Sequence, residues 1–198
     1  MLRSALACLA VVALSSPGLA QSCVGPDPAL GFSAFDRARL ENLEASRDKG
    51  LAAAGVHDLS EEGNTIAALF AEGLEPPDPA TLPGAYRCRT IKLGGISPRV
   101  IYSWFRCEIS VAEGGFTLTK VTGSQNFTGL LAPVEDGYVF RGAGNYGDEP
   151  PRAYGEEAER DLAGCLTQVY GDPRHLVLDL PEPRLESFHD VIELVPAT

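Results

Sequence analysis

From Gly84 onward the hydrophobic period of the chain becomes two and stays there almost to the end. Eight short runs alternate apolar and polar residues: 85–93, 100–111, 115–122, 126–133, 137–144, 162–170, 174–180 and 186–195. Turn chemistry separates them, at Gly94-Gly95 with Pro98, Gly114-Gly115, Gly123-Ser124, Asp136-Gly137, Gly171-Asp172-Pro173 and Pro181-Glu182-Pro183. Runs of this length, rich in β-branched and aromatic residues and bounded by Gly, Pro and Asp, read as strands. Consecutive strands usually pair, so the natural topology is an antiparallel up-and-down meander. Eight strands can also close into a small lipocalin-like barrel, which abolishes exposed edges and has room for side chains or one small ligand. A membrane barrel is excluded because the strands are mostly shorter than ten residues and several carry charges on both faces. One longer loop, about 144–160, interrupts the series.

Before Gly84 the pattern is helical. Residues 33–55 read as one helix, with Ser33 as cap, Asp36 in the first turn and Gly55 as the stop. A second, shorter helix covers 60–73, where Ile66, Leu69 and Phe70 fall on one face. The four prolines of "LEPPDPATLPG" then break all periodicity. The expected fold is therefore α+β and mainly β, with two helices ahead of the strands. Its parts are an N-terminal helical segment at 21–75, a Pro-rich linker at 76–84 and an antiparallel β-barrel-like domain at 85–198.

The first twenty residues read as a secretory signal peptide: Arg3, the apolar run "ALACLAVVAL" and the small residues of "SSPGLA", with cleavage expected between Ala20 and Gln21. No later stretch is apolar enough to span a bilayer. The expected location is periplasmic or secreted. Four cysteines follow the leader, and an even number in an exported chain reads as disulfides. There is no CxxC, and the three histidines lie far from the cysteines in sequence, so a metal site is not expected. Folding 85–93 against 100–111 with Cys88 opposite Cys107 places Arg87 by Glu108 and Ile91 by Trp104, both favourable cross-strand neighbours. The same register sets Arg89 against Arg106, a like-charge pair. Cys88–Cys107 is the expected disulfide, and Cys23 with Cys165 is the pair left over, open to a second bond.

The formal net charge is −11, and loss of the leader, whose one charged residue is Arg3, makes it −12. Nucleic acid and anionic membranes are poor partners for so acidic a chain. No GxSxG, SxxK or HExxH occurs, and "LGGISP" lacks the Lys-Ser/Thr of a phosphate loop. No catalytic residue and no cofactor is therefore assigned. His189 and Asp190 are neighbours on a strand and must point to opposite faces. Glu186 and Asp190 share a face, about 13 Å apart along an extended strand. Arg87, Arg89 and Arg106 gather at the first hairpin beside Trp104, and closure of the sheet would bring Glu186 or Asp190 alongside to neutralise them. Gln125 falls at a turn that could line a barrel mouth. These seven residues are the candidate binding set. Asn126-Phe127-Thr128 matches a glycosylation sequon and reads here as a turn entering a strand.

The segments "LPGAYRCRTIKLGG", "WFRCEI", "KVTGSQNFTGLL", "YGEEAERDLAG" and "ESFHDVIELVP" resemble a family of exported bacterial proteins, the domain of unknown function DUF4893, over about residues 33–196. The resemblance implies a leader, a helical lead-in and a β-rich remainder, and carries no activity to transfer. More loosely, the β-region looks like the disulfide-stapled barrels that bacteria export as lysozyme or protease inhibitors. Lipocalins open with Gly-x-Trp where this chain has Gly84-Ala85-Tyr86. On these grounds a non-enzymatic binding or inhibitor-like module is expected, its partner a protein or a small ligand. The alternatives are a hydrolase using a carboxylate–arginine site, and an envelope scaffold.

Overall fold

The computed structural model describes Cys23 and residues 30–197; the leader expected at 1–20 lies outside the described residues. The helical region holds three helices rather than two: α1 (Ala34–Glu41), α2 (Leu43–Ala54) and α3 (Glu61–Phe70). Ser33 caps α1 through the Asp36 amide at 3.1 Å, and Ser60 caps α3 through the Gly63 amide at 2.9 Å. The expected single helix breaks at Asn42, whose φ of −98° and ψ of 15° leave the helical range. Its side-chain amide donates instead to Glu182, beyond the end of the ninth strand. The break lets α1 lie on one wall of the sheet and α2 on the next.

Ten strands follow. They are β1 (Leu74–Glu75), β2 (Gly84–Leu93), β3 (Arg99–Ile101), β4 (Phe105–Ala112), β5 (Gly115–Lys120), β6 (Gln125–Val134), β7 (Gly137–Tyr146), β8 (Asp161–Val169), β9 (Leu176–Pro181) and β10 (His189–Pro196). Eight of them, β2 and β4 to β10, pair antiparallel in chain order, and β10 returns to β2 to close the barrel. The short β1 extends β8, and β3 extends the β2–β4 hairpin.

The register of that hairpin differs from expectation by two residues. Cys88 faces Phe105 and Cys107 faces Tyr86, so the disulfide bridges diagonally, with Cα atoms 5.8 Å apart. A shift of two keeps both cysteines on the inner face. The like-charge pair is consequently Arg87 with Arg106, not Arg89 with Arg106, and Ile91 faces Ile101 rather than Trp104. A bulge separates the two stretches of pairing: Tyr102, Ser103 and Trp104 stand against only Arg89 and Thr90, so the displacement is three residues at Ile91 and two at Cys88. The second disulfide, Cys23–Cys165, ties the segment ahead of α1 to the outside of β8.

Alternate residues fill the barrel at one end: Tyr86, Ile109, Leu118, Leu131, Phe140, Leu166, Leu178 and Leu194 are all buried. Leu82, from the proline-rich stretch, plugs that end, and its carbonyl accepts the Tyr86 hydroxyl at 2.8 Å. Helices α2 and α3 cover the outside of β9, β10 and β2, where Ile91, Leu93, Val177 and Val191 meet Ala54, Ile66 and Leu69. β9 and most of β10 are therefore buried on both faces, whereas β2, which carries Arg87, Arg89 and Lys92, keeps its alternation. Close approach of α2 depends on Gly50, where a Cβ would lie 2.8 Å from the His189 Cβ and 3.0 Å from that of Leu93.

Candidate functional site

The end of the barrel opposite the Leu82 plug is not filled. It holds a cavity of about 170 Å³ walled by Phe127, Leu162, Leu180 and Ile192. Thr90, Lys92, Lys120, Gln125 and Asp190 supply its polar groups. Its rim comes from Arg39 of α1, from Tyr146, Glu159 and Arg160 around the long loop, and from Arg184 and Glu186 of the segment between β9 and β10. That last segment is anchored rather than loose. The Ile96 amide donates to the Glu186 carbonyl at 2.9 Å and the Phe188 amide to the Leu93 carbonyl at 3.0 Å. Gly95 is required there, because a Cβ would overlap the Glu186 carbonyl and its φ is +93°. Glu186 itself has a φ of 74°, so it belongs to this loop and not to the last strand, which starts at His189.

Charges inside the mouth are unevenly matched. Lys92 Nζ lies 2.9 Å from Glu186 and 3.7 Å from Asp190. Burial pulls the Lys92 ammonium down, but Asp190 and Glu186 outweigh it and hold its pKa above the ordinary value. Burial raises the Asp190 carboxyl, against the pull of Lys92 and of the Ser187 hydroxyl, which donates to it at 2.5 Å. Lys120 is 6% exposed and has no carboxylate partner among the described residues. Its Nζ donates to the Gln125 carbonyl and sits 4.2 Å from the Phe105 ring centroid, and burial lowers its pKa.

Of the seven residues singled out in the sequence, Gln125, Glu186 and Asp190 line this mouth. The other four lie on the outer wall. The Trp104 ring has the guanidinium of Arg89 at 4.4 Å and that of Arg87 at 5.2 Å, while Arg106 is exposed. Closure does bring a carboxylate to the arginines, but it is Glu193, directly opposite Arg89 on β10 and 2.5 Å from its Nε. Glu186 and Asp190 are on the other side of the wall and serve Lys92. Glu193 is also 2.9 Å from His175 Nε2; burial would raise its pKa, yet these two partners hold it below the ordinary range. Lys92 and Lys120 were missed, though each lies on the alternation that turns inward, two residues from Thr90 and from Leu118 respectively.

A third cluster was not visible in the sequence. Ser46 Oγ of α2 lies 3.0 Å from His189 Nδ1, and His189 Nε2 lies 2.8 Å from Asp179 Oδ1. The order is that of a serine-hydrolase triad. However, all three residues are at most 2% exposed, and the Ser46 hydroxyl is engaged by the Phe188 carbonyl at 2.9 Å and the Glu182 amide at 3.1 Å. Arg47 completes the cluster with two hydrogen bonds to Asp179, at 2.8 and 3.1 Å. Asp179 is driven to a pKa of about 2: burial opposes the shift, and Arg47 and His189 overcome it. This arrangement clamps α2 to the barrel. His189 and Asp190 do point to opposite faces, one into the clamp and the other into the mouth.

An eight-stranded up-and-down barrel, belted by helices on its outside and open at one charged end, is the class that this geometry defines. Within it, the chain belongs to the family described as Domain of unknown function (DUF4893), whose profile spans residues 31–194. No curated protein and no solved structure matches the chain.

Proposed function

We propose that this is an exported, non-enzymatic binding module that takes a small organic molecule into the barrel mouth. The observation that carries the reading is the contrast between the two ends of the interior: one is packed and plugged by Leu82, and the other keeps a cavity of about 170 Å³. Mouths of β-barrels are favoured ligand sites, and a dry cavity of about 150 Å³ suffices for benzene. The two disulfides fit an oxidising, exported setting, in keeping with the leader read at 1–20. A fragment screen by amide-detected NMR tests the proposal. Binders should perturb Thr90, Phe127, Leu162 and Ile192 together. A screen whose hits all map to the outer wall would sink it.

One observation favours a second reading. Asp190 is a buried carboxyl with a raised pKa that faces the same cavity beside Lys92, an arrangement suited to general acid catalysis. Under that reading, turnover of a chromogenic ester or glycoside panel should vanish in Asp190→Asn; activity unchanged by this substitution excludes Asp190 as the acid.

A further inference from the structure

The cavity carries a more specific message about its occupant. The chain is strongly acidic, yet the lining holds five cations (Arg39, Lys92, Lys120, Arg160 and Arg184) against four carboxylates. Most of the cations are accounted for. Arg39 pairs with Asp36 at 2.6 Å, Lys92 with Glu186 and Asp190, and Arg160 with Glu149 and Glu157. Arg184 stacks on Phe35, 4.1 Å from the ring centroid, at the outer rim. Lys120 differs from the other buried cation, Arg39, in having no carboxylate within salt-bridge distance among the described residues; its partners are the Gln125 carbonyl and the Phe105 ring, whose centroid is 4.2 Å from Nζ.

An ammonium has three donors. One donor of Lys120 goes to the Gln125 carbonyl, and the other two have no hydrogen-bond partner among the described residues. A lysine 94% removed from solvent and left in that state is costly. Natural cores avoid it unless the charge is used, since a methionine or leucine would fill the same space without penalty. The lowered pKa of Lys120 is the same cost seen as a titration, and an anion beside it reverses the shift.

We propose that the mouth selects a small carboxylate, whose anionic group pairs with Lys120 and whose apolar body lies against Phe127, Leu162, Leu180 and Ile192. This rests on the reading of the mouth as a ligand site. The cavity volume sets the size at about that of benzoate, little more than the benzene that a 150 Å³ cavity of about this size admits, and too small for a peptide segment. Carboxylate, rather than a more highly charged anion, suits walls that are mostly apolar.

The test uses benzoate with its uncharged isostere benzamide, and toluene as the purely apolar probe. The chain has only three lysines, Lys49, Lys92 and Lys120, so selective ¹³C labelling gives three assignable side-chain signals. Benzoate should bind at least about tenfold more tightly than benzamide, the factor expected of one charge-assisted contact. It should move the Lys120 Cε resonance most, and Lys120→Met should erase the preference. The unmodified protein reports the lysine shift even where the variant folds poorly. Equal binding of benzoate and benzamide, or a response at Lys92 instead of Lys120, overturns the carboxylate anchor while leaving a ligand mouth. Absence of binding by benzoate, benzamide and toluene alike at millimolar concentration overturns the ligand mouth itself.

Discussion

Replacing Asp179 by Asn should destabilise the protein in a way that depends on pH. Asp179 is fully buried and is shared by Arg47, at 2.8 and 3.1 Å, and His189, at 2.8 Å. Asparagine keeps the shape but turns one acceptor into a donor and removes the charge facing Arg47. Removing one partner of a buried pair costs about 3–5 kcal/mol. Linkage isolates the part that is charge. Asp179 titrates near 2 in the fold and at about 3.9 in the unfolded chain, a gap worth about 2–3 kcal/mol. Because the folded value is the lower one, this stability is complete above about pH 4 to 5 and fades as pH falls toward 2. Urea unfolding of wild type and Asp179→Asn between pH 2 and 7 should therefore show curves about 3–5 kcal/mol apart at neutral pH that approach one another in acid. Titration of other carboxylates, including Glu193, is common to both proteins and cancels in the difference. A gap that stays constant over the whole range would refute the electrostatic account and leave only packing.

Gly50→Ala should lower stability by about 1–3 kcal/mol in thermal unfolding, although alanine is the better helix former by about 1 kcal/mol. The added methyl meets two Cβ atoms, of His189 and Leu93, which cannot swing away. For the outer wall, Arg89→Glu and Glu193→Arg should each destabilise and their combination should recover much of the loss, because the two stand directly opposite. Arg89→Glu combined with Glu186→Arg should show no such recovery, since Glu186 serves Lys92. Intact-mass measurement on oxidised and reduced protein should differ by two disulfides, and loss of the Cys23–Cys165 bond should cost more than loss of Cys88–Cys107. Their loops of 142 and 19 residues correspond to about 5 and about 3 kcal/mol of chain entropy.

The eight barrel strands and their order were legible because turn residues and two-residue alternation are local signals. Closure stood beside an open meander as one of two outcomes, since the β2–β10 pairing that makes it joins the two ends of the series. Each Gly, Pro or Asp cluster reports its own turn, and short turns leave antiparallel neighbours as the economical outcome. The first hairpin's register was not legible, because a directly opposed and a diagonal cysteine pair look alike in sequence, and the bulge at 102–104 has no Gly or Pro to mark it. Nor was the break at Asn42, whose partner Glu182 is 140 residues away. At the site, alternation separated His189 from Asp190 correctly. It would also have turned Lys92 and Lys120 inward had the lysines been followed instead of the arginines. Glu193 as the partner of Arg89 needed the β2–β10 register, and Ser46 against His189 needed the docking of a helix; neither has a local signature.

The closing seam has a consequence for how the barrel comes into being. Its first barrel strand pairs with its last, Tyr86 opposite Pro196, so the cylinder cannot shut until nearly the whole chain is present. Until then β2 and β9 are free edges of a curling sheet, the state in which strands recruit other chains. Such distant pairing is also intrinsically slow, since the loop must close before any contact rewards it. Everything from Gly84 onward must therefore stay in an open form until the eight residues of the last strand, His189–Pro196, are in place.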